Sequence, residues 1–291
     1  MLKLISLFFF LMINLGVFCQ SVIFKTALPE KGSEFVEVFV LSENLLISAK
    51  SEAYESNSIG YQKKYHKKYN KLIRILDLND KEVTKIEVTY SDAEEELKSG
   101  EKNNTYFIPV SNNTYIIEKT NDVLIIQNKY RAINGKEKIF IENYDYKDKN
   151  LFFIKNDLSE KKIIIEEKIE VFEQYIKEYF LRYLNENNVD EKYIIIKVIL
   201  KKIQENTNQK NAFFEVNLKI RNAPINLDTM ICNMNYNLTG EIIVNIDNSW
   251  ILSSNLTGDM FIRQSQYSSY GILVTSFITE KINLDISRKM K

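Results

Sequence analysis

Residues 165–185 read IEEKIEVFEQYIKEYFLRYLN, and this stretch decides the fold that we expect for the chain. Its apolar residues recur at steps of three and four, which places them on one side of a helix. They are Ile165, Ile169, Phe172, Ile176, Phe180 and Leu184. Charged residues fill the other side, where Glu173 stands four residues before Lys177, a spacing that stabilises helices. The pattern predicts an amphipathic helix whose apolar stripe packs against the rest of the molecule.

The rest of the chain is typical of antiparallel strands joined by short turns. Residues 71–78 and 83–90 alternate in polarity on either side of Asn79 and Asp80, which predicts a hairpin. Residues 212–220 alternate in the same way and predict a half-exposed strand. Residues 193–203 are dense in isoleucine and valine, which favours a strand buried on both faces.

Three polar stretches connect the strand-like runs, and two of them permit more than one interpretation. Residues 50–70 combine tyrosines and lysines around His66, and indicate either a basic aromatic patch for lipid headgroups or a polysaccharide, or a solvated loop or strand with outward lysines. Residues 92–104 predict a charged loop or a short helix. Asn134-Gly135 is the strongest hairpin dipeptide in the sequence, and it predicts a turn before a strand at residues 137–142.

A long C-terminal hairpin carries the tetrapeptide Asn-Leu-Thr-Gly in each arm, at residues 237–240 and 255–258. We expect Gly240 and Gly258 to mark bulges or bends where the strands curve. Long strands with short turns suit a strongly twisted meander. The predicted fold class is therefore α+β, mainly β: a large curved antiparallel sheet or partial barrel, with the helix at about residues 165–185 packed on it.

Residues 1–19 have the features of a secretory signal peptide. Lys3 precedes a nearly apolar run at residues 4–17, and the run is short for a membrane span. Cleavage before Cys19 would leave a lipidated cysteine, but the bulky Phe18 favours cleavage after Cys19, with Gln20 first. We expect an exported protein that is periplasmic, in the outer envelope or secreted, and no later run is long enough for a transmembrane helix.

The mature chain divides at the predicted helix. Residues 20–160 form an N-terminal β-rich half, and residues 161–291 comprise the helix and a C-terminal antiparallel meander. The two halves are either separate units or one continuous domain. The sequence does not indicate an oligomeric state.

Composition argues against several functions. Lysine plus arginine and aspartate plus glutamate number 39 each, a balance that does not suit a nucleic-acid partner. One histidine and two cysteines are too few for most zinc sites and leave only His66 for a serine or cysteine triad. Cys232, among Met230, Ile231 and Met234, is typical of a buried, inert thiol. We predict no catalytic residue, no metal and no cofactor.

The C-terminal part carries a resemblance to known proteins. A strand at Ala212-Phe213-Phe214-Glu215-Val216 is followed by Leu238-Thr239-Gly240, Val244-Asn245-Ile246-Asp247, Trp250 and Leu256-Thr257-Gly258. This order resembles exported bacterial proteins of unknown function, which are similar in outline to the LolA/LppX-like lipoprotein carriers. That resemblance implies a curved antiparallel sheet wrapped around a helix, and it brings no catalytic residue.

Three functions follow as hypotheses. The first is a non-enzymatic envelope or secreted protein that binds an apolar small molecule such as a lipid, with Phe172, Ile176, Phe180 and Trp250 as ligand-binding residues. The second is a hydrolase that uses paired carboxylates on a polysaccharide in a groove near Trp250. Trp250 could stack on a sugar there with Tyr267 and Tyr270, or serve as a core or corner residue. The third is a structural or partner-binding surface protein.

Overall fold

The structure is a computed structural model, and it describes residues 21–25, 27–51, 54–120, 123–142, 162–165, 189–206, 209–227, 230–267, 270 and 273–291. The signal peptide predicted at residues 1–19 lies outside these residues. So does the helix predicted at about residues 165–185, apart from Ile165. Both stay predictions.

The described residues form thirteen strands and one short α-helix. They are β1 (Ser21–Ile23), β2 (Glu34–Ser51), β3 (Tyr54–Leu78), β4 (Val83–Ser99), β5 (Lys102–Tyr106), β6 (Thr114–Thr120), β7 (Val123–Asn128), α1 (Gly135–Phe140), β8 (Lys162–Ile164), β9 (Ile194–Asn206), β10 (Gln209–Leu227), β11 (Met230–Asn245), β12 (Ile251–Tyr267) and β13 (Leu273–Met290). A 3-10 turn, Glu191–Tyr193, precedes β9.

One large curved antiparallel sheet contains eleven of these strands. Its order is β7-β6-β4-β3-β2-β13-β12-β11-β10-β9, and β5 pairs with β4. The strands β1 and β8 form a separate antiparallel pair. Within the described residues β7 and β9 are the two ends of the sheet, so the sheet does not close into a barrel. The predicted large, curved, antiparallel sheet is confirmed.

Alternation along each strand divides the sheet into a core face and an outer face. On β10 the residues Phe214, Val216, Leu218 and Ile220 are at most 1% exposed, while the residues between them are more accessible. The half-exposed strand predicted at 212–220 is therefore confirmed. The core face also carries Phe35, Phe39 and Leu41 of β2.

The hairpin predicted at residues 71–90 is formed by β3 and β4. Ile73 lies opposite Val88 and Ile75 opposite Ile86, and all four side chains are fully buried. At the turn, the side-chain oxygen of Asn79 accepts the backbone N–H groups of Lys81 and Glu82 at 2.8 and 2.9 Å. The turn chemistry and the buried pairs both match the prediction from sequence.

The strand predicted at residues 137–142 is wrong, because Asn134 caps a helix instead of forming a hairpin. The side-chain oxygen of Asn134 accepts a hydrogen bond from the backbone N–H of Glu137 at 3.0 Å. In return, the carboxylate of Glu137 accepts a hydrogen bond from the backbone N–H of Asn134 at 2.8 Å. This reciprocal capping box starts α1. Tyr115 and Arg131 hold the same carboxylate, so tertiary contacts reinforce the helix.

The polar stretches at residues 50–70 and 92–104 belong largely to strands. β3 begins at Tyr54, and its lysine-rich part pairs with β4, as in Lys67 opposite Glu95 and Lys68 opposite Glu94. The loop or helix predicted at 92–104 is wrong, because β4 continues to Ser99 and β5 follows at once. Cross-strand pairing provides the stability that this charged sequence lacks locally.

Burial of β9 on both faces and bulges at the two glycines of the C-terminal hairpin are wrong, for geometric reasons. β9 is the last strand of the described sheet and Ile195 is 47% exposed, so residues 193–203 are not buried on both faces. Gly240 and Gly258 lie in unbroken register, opposite Leu256 and Leu238. The glycines leave room for close neighbours: a Cβ atom on Gly258 would lie 2.5 Å from the Tyr236 hydroxyl oxygen.

Candidate functional site on the core face

Rows of side chains run across β13, β2 and β3 on the core face, and their burial changes along the strands. Near the end of β13, Arg288, Glu37 and Lys71 lie side by side in register, and each is at most 8% exposed. Towards the start of β13, from residue 282 back to 273, the core-face residues are only half-buried. We call these regions the closed end and the open end.

The closed end is held by a buried ionic cluster. Glu37 Oε2 accepts Arg288 Nε–H at 2.6 Å, and Glu37 Oε1 contacts Lys71 Nζ. Burial acts to raise the pKa of Glu37, but the charges and hydrogen bonds of Lys71 and Arg288 outweigh it and lower the pKa to about 2. The carboxylate is therefore ionised at neutral pH, and the cluster is a structural ion network.

Aromatic rings cover the next row of the closed end. The rings of Phe39 and Tyr69 stack with centroids 4.6 Å apart, and Phe140 of α1 meets Tyr69 edge-on at 5.9 Å. Lys67 is only 2% exposed, and its Nζ lies 4.5 Å from the centroid of the Phe140 ring, a cation–π geometry. The short helix thus seals this end.

The open end presents half-buried apolar side chains on three neighbouring strands. We call this set the apolar band: Leu45, Ile47, Met260, Ile278 and Ile282. Ile278 lies directly opposite Ile47, and Glu280 separates Met260 from Leu45 in one row. The fully buried Leu256 and Leu284 lie on the closed side of this band. The band is therefore a continuation of the core that is not fully covered.

Two carboxylates lie within the apolar band. Glu43 faces Ile282 and is a diagonal neighbour of Glu280 on the adjacent strand, a relationship that places Cα atoms roughly 7–8 Å apart. Burial raises the pKa of Glu43 to about 7, and the charge of Glu280 adds to this, while Lys63 and Lys67 act in the opposite direction. Burial also raises the pKa of Glu280, against Lys63. These groups titrate nearer to neutrality than ordinary carboxyls.

The structure places one of the four predicted ligand-binding residues. Phe172, Ile176 and Phe180 lie outside the described residues. The indole N–H of Trp250 donates to the carbonyl of Ala27 at 3.0 Å, and its ring meets Phe35 edge-on at 5.0 Å. Phe35 is eight positions from Glu43 on β2, or about 26 Å along the strand. A ligand-binding role for Trp250 stays a prediction, and the two carboxylates are remote from it.

Glu43 and Glu280 are not among the residues predicted from the sequence, whereas Lys63 belongs to the basic aromatic stretch at residues 50–70. A signal for Glu43 was present, because it shares strand parity with Phe35, Phe39 and Leu41, so alternation places it on the core face. Glu280 shares parity with Ile278 and Ile282 in the same way. A carboxylate in phase with an apolar stripe lies on the core face of its strand, where burial raises the pKa of Glu43 and of Glu280.

The described part of the chain contains no group of three or more potential metal ligands. No helix among those residues is long and apolar enough to cross a membrane. The single histidine, His66, lies on the outer face, where its Nδ1 is 3.0 Å from the hydroxyl oxygen of Ser42.

The chain is similar to known proteins in structure but not in sequence. No protein-family profile matches the chain, and no curated protein sequence matches it. Among solved structures, the chain is similar to lipovitellin, in a structure described as "Lipid-protein interactions in lipovitellin", with a TM-score of 0.33 and 8% identity. The match covers 89% of this chain and 26% of the lipovitellin chain, so this chain spans about a quarter of that protein's length. A likeness of this size does not indicate a shared function, and the resemblance to LolA/LppX-like carriers stays a prediction.

Proposed function

We propose that the protein is an exported, non-enzymatic binding protein whose apolar band holds an apolar ligand such as a lipid. The observation that carries this proposal is the change of burial along the core face of β13 and β2. Leu284 and Ile286 are at most 8% exposed, whereas Ile282 and Ile278 on the same side of β13 are only half-buried. A ligand that covers the open end would complete the core.

The apolar band is large enough to contribute to binding. Full burial of one aliphatic side chain is worth roughly 1.5–3 kcal/mol, so five half-buried side chains offer roughly 4–8 kcal/mol before ordering is counted. The five residues come from three adjacent strands, β12, β13 and β2, which gives an extended surface. Such a surface suits a hydrocarbon chain better than a compact polar molecule.

The charged residues of the open end would fix the orientation of the proposed ligand. Glu43, Glu280 and Lys63 lie in the rows that also contain Leu45 and Ile282. A polar headgroup would lie beside these charges, and the hydrocarbon chain would extend over Ile47, Ile278 and Met260. The proposal therefore favours an amphipathic lipid over a purely hydrocarbon ligand.

Binding of a fluorescent fatty acid, cis-parinaric acid, tests this proposal. Ile278→Glu puts a charge into the apolar band, and we expect it to weaken binding at least tenfold. Thr279→Glu is the matched control, because the neighbouring residue points to the outer face, and we expect it to bind as the parent chain does. Equal affinity in all three proteins, or no binding by the parent chain, would overturn the proposal.

A second function is favoured by the carboxylate pair. Two neighbouring acids with raised pKa values are typical of general acid–base sites, so a carboxylate-based hydrolase is the competing proposal. Release of reducing ends from a panel of polysaccharides tests it, with Glu43→Gln and Glu280→Gln as inactive variants. Activity that survives both substitutions would exclude this pair as the catalytic site.

A further inference from the structure

The outer face carries a long trough, and the apolar band lies on the opposite face of some of the same strands, so that Met260 is among the residues that line the trough. A cavity of about 620 Å³ is lined by residues of β2, β3 and β10–β13, and a second of about 410 Å³ by residues of β2, β3, β4 and β13. Both cavities are lined by Asn44 and Lys281, so they adjoin each other. Asn44 and Lys281 also face each other across β2 and β13.

The trough crosses the strands instead of following them. Its lining comes from seven neighbouring strands, in the order β4-β3-β2-β13-β12-β11-β10. Six spacings of about 4.8 Å make it roughly 29 Å long. This length suits an extended chain of five or six sugar units or a short peptide, and it exceeds what a small metabolite requires.

Five side-chain amides lie in this lining. They are Asn44, Gln62, Asn235, Asn237 and Asn283. An amide both donates and accepts hydrogen bonds, which matches the hydroxyl groups of a sugar. Phe261, which is 38% exposed and stacks on Phe277 with centroids 6.0 Å apart, adds an apolar ring on which a sugar face can pack.

The charges of the trough are mostly positive. Alternation places five cationic and two anionic lining side chains on the outer face, whereas the lining residues Glu43 and Glu280 direct their side chains to the core face. The outer-face groups are Lys64, Lys98, Lys219, Arg221, Lys281, Glu96 and Asp259. The excess of positive charge attracts an anionic ligand, although the whole chain has a formal net charge of zero.

We infer that the trough binds an acidic oligosaccharide, one whose sugar units carry carboxylates. The lysines would pair with the carboxylates, the amides with the hydroxyl groups, and Phe261 with one sugar face. A peptide fits less well, because extended peptides gain affinity by pairing with a free sheet edge, and these strands are already paired on both sides. This inference is independent of the proposed lipid site, which lies on the other face.

Calorimetric titration with an alginate hexamer, a chain of six uronic acids, tests the inference. We expect Lys219→Gln combined with Lys281→Gln to weaken binding at least tenfold, and raised salt to weaken binding by the parent chain. Lys136→Gln is the matched control, because Lys136 is exposed on α1, away from the trough. Circular dichroism and the melting temperature establish that the double variant is folded.

Four outcomes would overturn the inference. They are no binding of the alginate hexamer, equal binding of the neutral cellohexaose, tighter binding of an octaglutamate peptide, and unchanged affinity in a folded double variant. Ile278→Glu separates this site from the lipid site, since it should impair cis-parinaric acid binding and leave alginate binding unchanged.

Discussion

Glu37 and Arg288 lie 251 positions apart in the chain, yet they face each other on β2 and β13 with Nε and Oε2 separated by 2.6 Å. They lie where an N-terminal strand of the sheet meets its last strand, so this contact joins sequence-distant parts into one sheet. Glu37 also touches Lys71, on the strand at its other side. One carboxylate thus links three strands.

Substitution of Glu37 should therefore be strongly destabilising. Glu37→Gln leaves two buried cations without their carboxylate, and we expect it to lower the free energy of unfolding by about 3–5 kcal/mol. Urea denaturation measures the change. Glu34→Gln on the same strand is the control, because its partners Arg74 and Lys291 are largely exposed, and we expect less than about 1 kcal/mol. Similar losses in both variants would contradict the role assigned to the buried cluster.

The same cluster makes the free energy of unfolding depend on pH in the acidic range. The pKa of Glu37 is about 2 in the folded chain against an ordinary 4.5, so its contribution is fully present above pH 4.5. The contribution is lost as the pH falls from 4.5 towards 2, and the pKa difference corresponds to roughly 3 kcal/mol. We expect the stability difference between the parent chain and Glu37→Gln to shrink over this range. A difference that stays constant down to pH 2 would show that the ionised form is not favoured by the fold.

We expect Glu43 to give the opposite pH dependence of stability, near neutral pH. Its folded pKa is about 7 against an ordinary 4.5, so the folded chain favours the protonated form and loses stability as the pH rises from 4.5 through 7. Glu43→Gln removes this titration. We expect the melting temperature of the variant, relative to the parent, to be higher at pH 8 than at pH 5. Glu142→Gln serves as a control, and a pH-independent difference for Glu43→Gln would contradict the raised pKa.

The general fold could be predicted because the alternation of residues along each strand shows which face of the strand is buried. Phe214, Val216, Leu218 and Ile220 alternate with less buried residues, and the hairpin at residues 71–90 has its turn residues in place. Alternation with a period of two and turn chemistry are local properties, so one sequence is enough to recognise them.

The rest could not be predicted because it depends on partners distant in sequence. Asn134 precedes Gly135 in a pattern that suits a hairpin, but Tyr115, 22 positions before Glu137, binds that carboxylate and helps to fix a helix. The carboxylates of the open end become a pair only when β13 lies beside β2. Sequence shows which residues share a strand face, but it does not show which strands are neighbours.

Substitution of Gly258 tests the close approach between this glycine and the side chain of Tyr236, which the structure shows in place of a bulge. A Cβ atom there would lie 2.5 Å from the hydroxyl oxygen and 3.0 Å from Cζ of Tyr236, so we expect Gly258→Ala to destabilise the fold by about 1–3 kcal/mol. Tyr236→Phe in the same chain removes the nearest atom and should recover part of the loss. Gly60→Ala is the control, since its Cβ would meet only the Ile47 carbonyl at 3.6 Å. Chemical denaturation of the four proteins measures these effects.

Cys232 offers a measure of opening in the C-terminal strands. It lies opposite Ile225 on the neighbouring strand and is 2% exposed, and burial raises the pKa of its thiol. Both effects slow the reaction with Ellman's reagent, because the reagent needs an accessible thiolate.

In a chain that starts at Gln20, Cys232 is the one remaining thiol, and we expect slow labelling in buffer and rapid labelling in urea. Met260→Ala, which weakens the half-buried open end, should speed labelling less than Leu238→Ala, which opens a cavity on the buried face of β11, the strand that carries the thiol. Rapid, complete labelling of the native chain would show that these strands open freely, and would contradict the buried packing around Cys232.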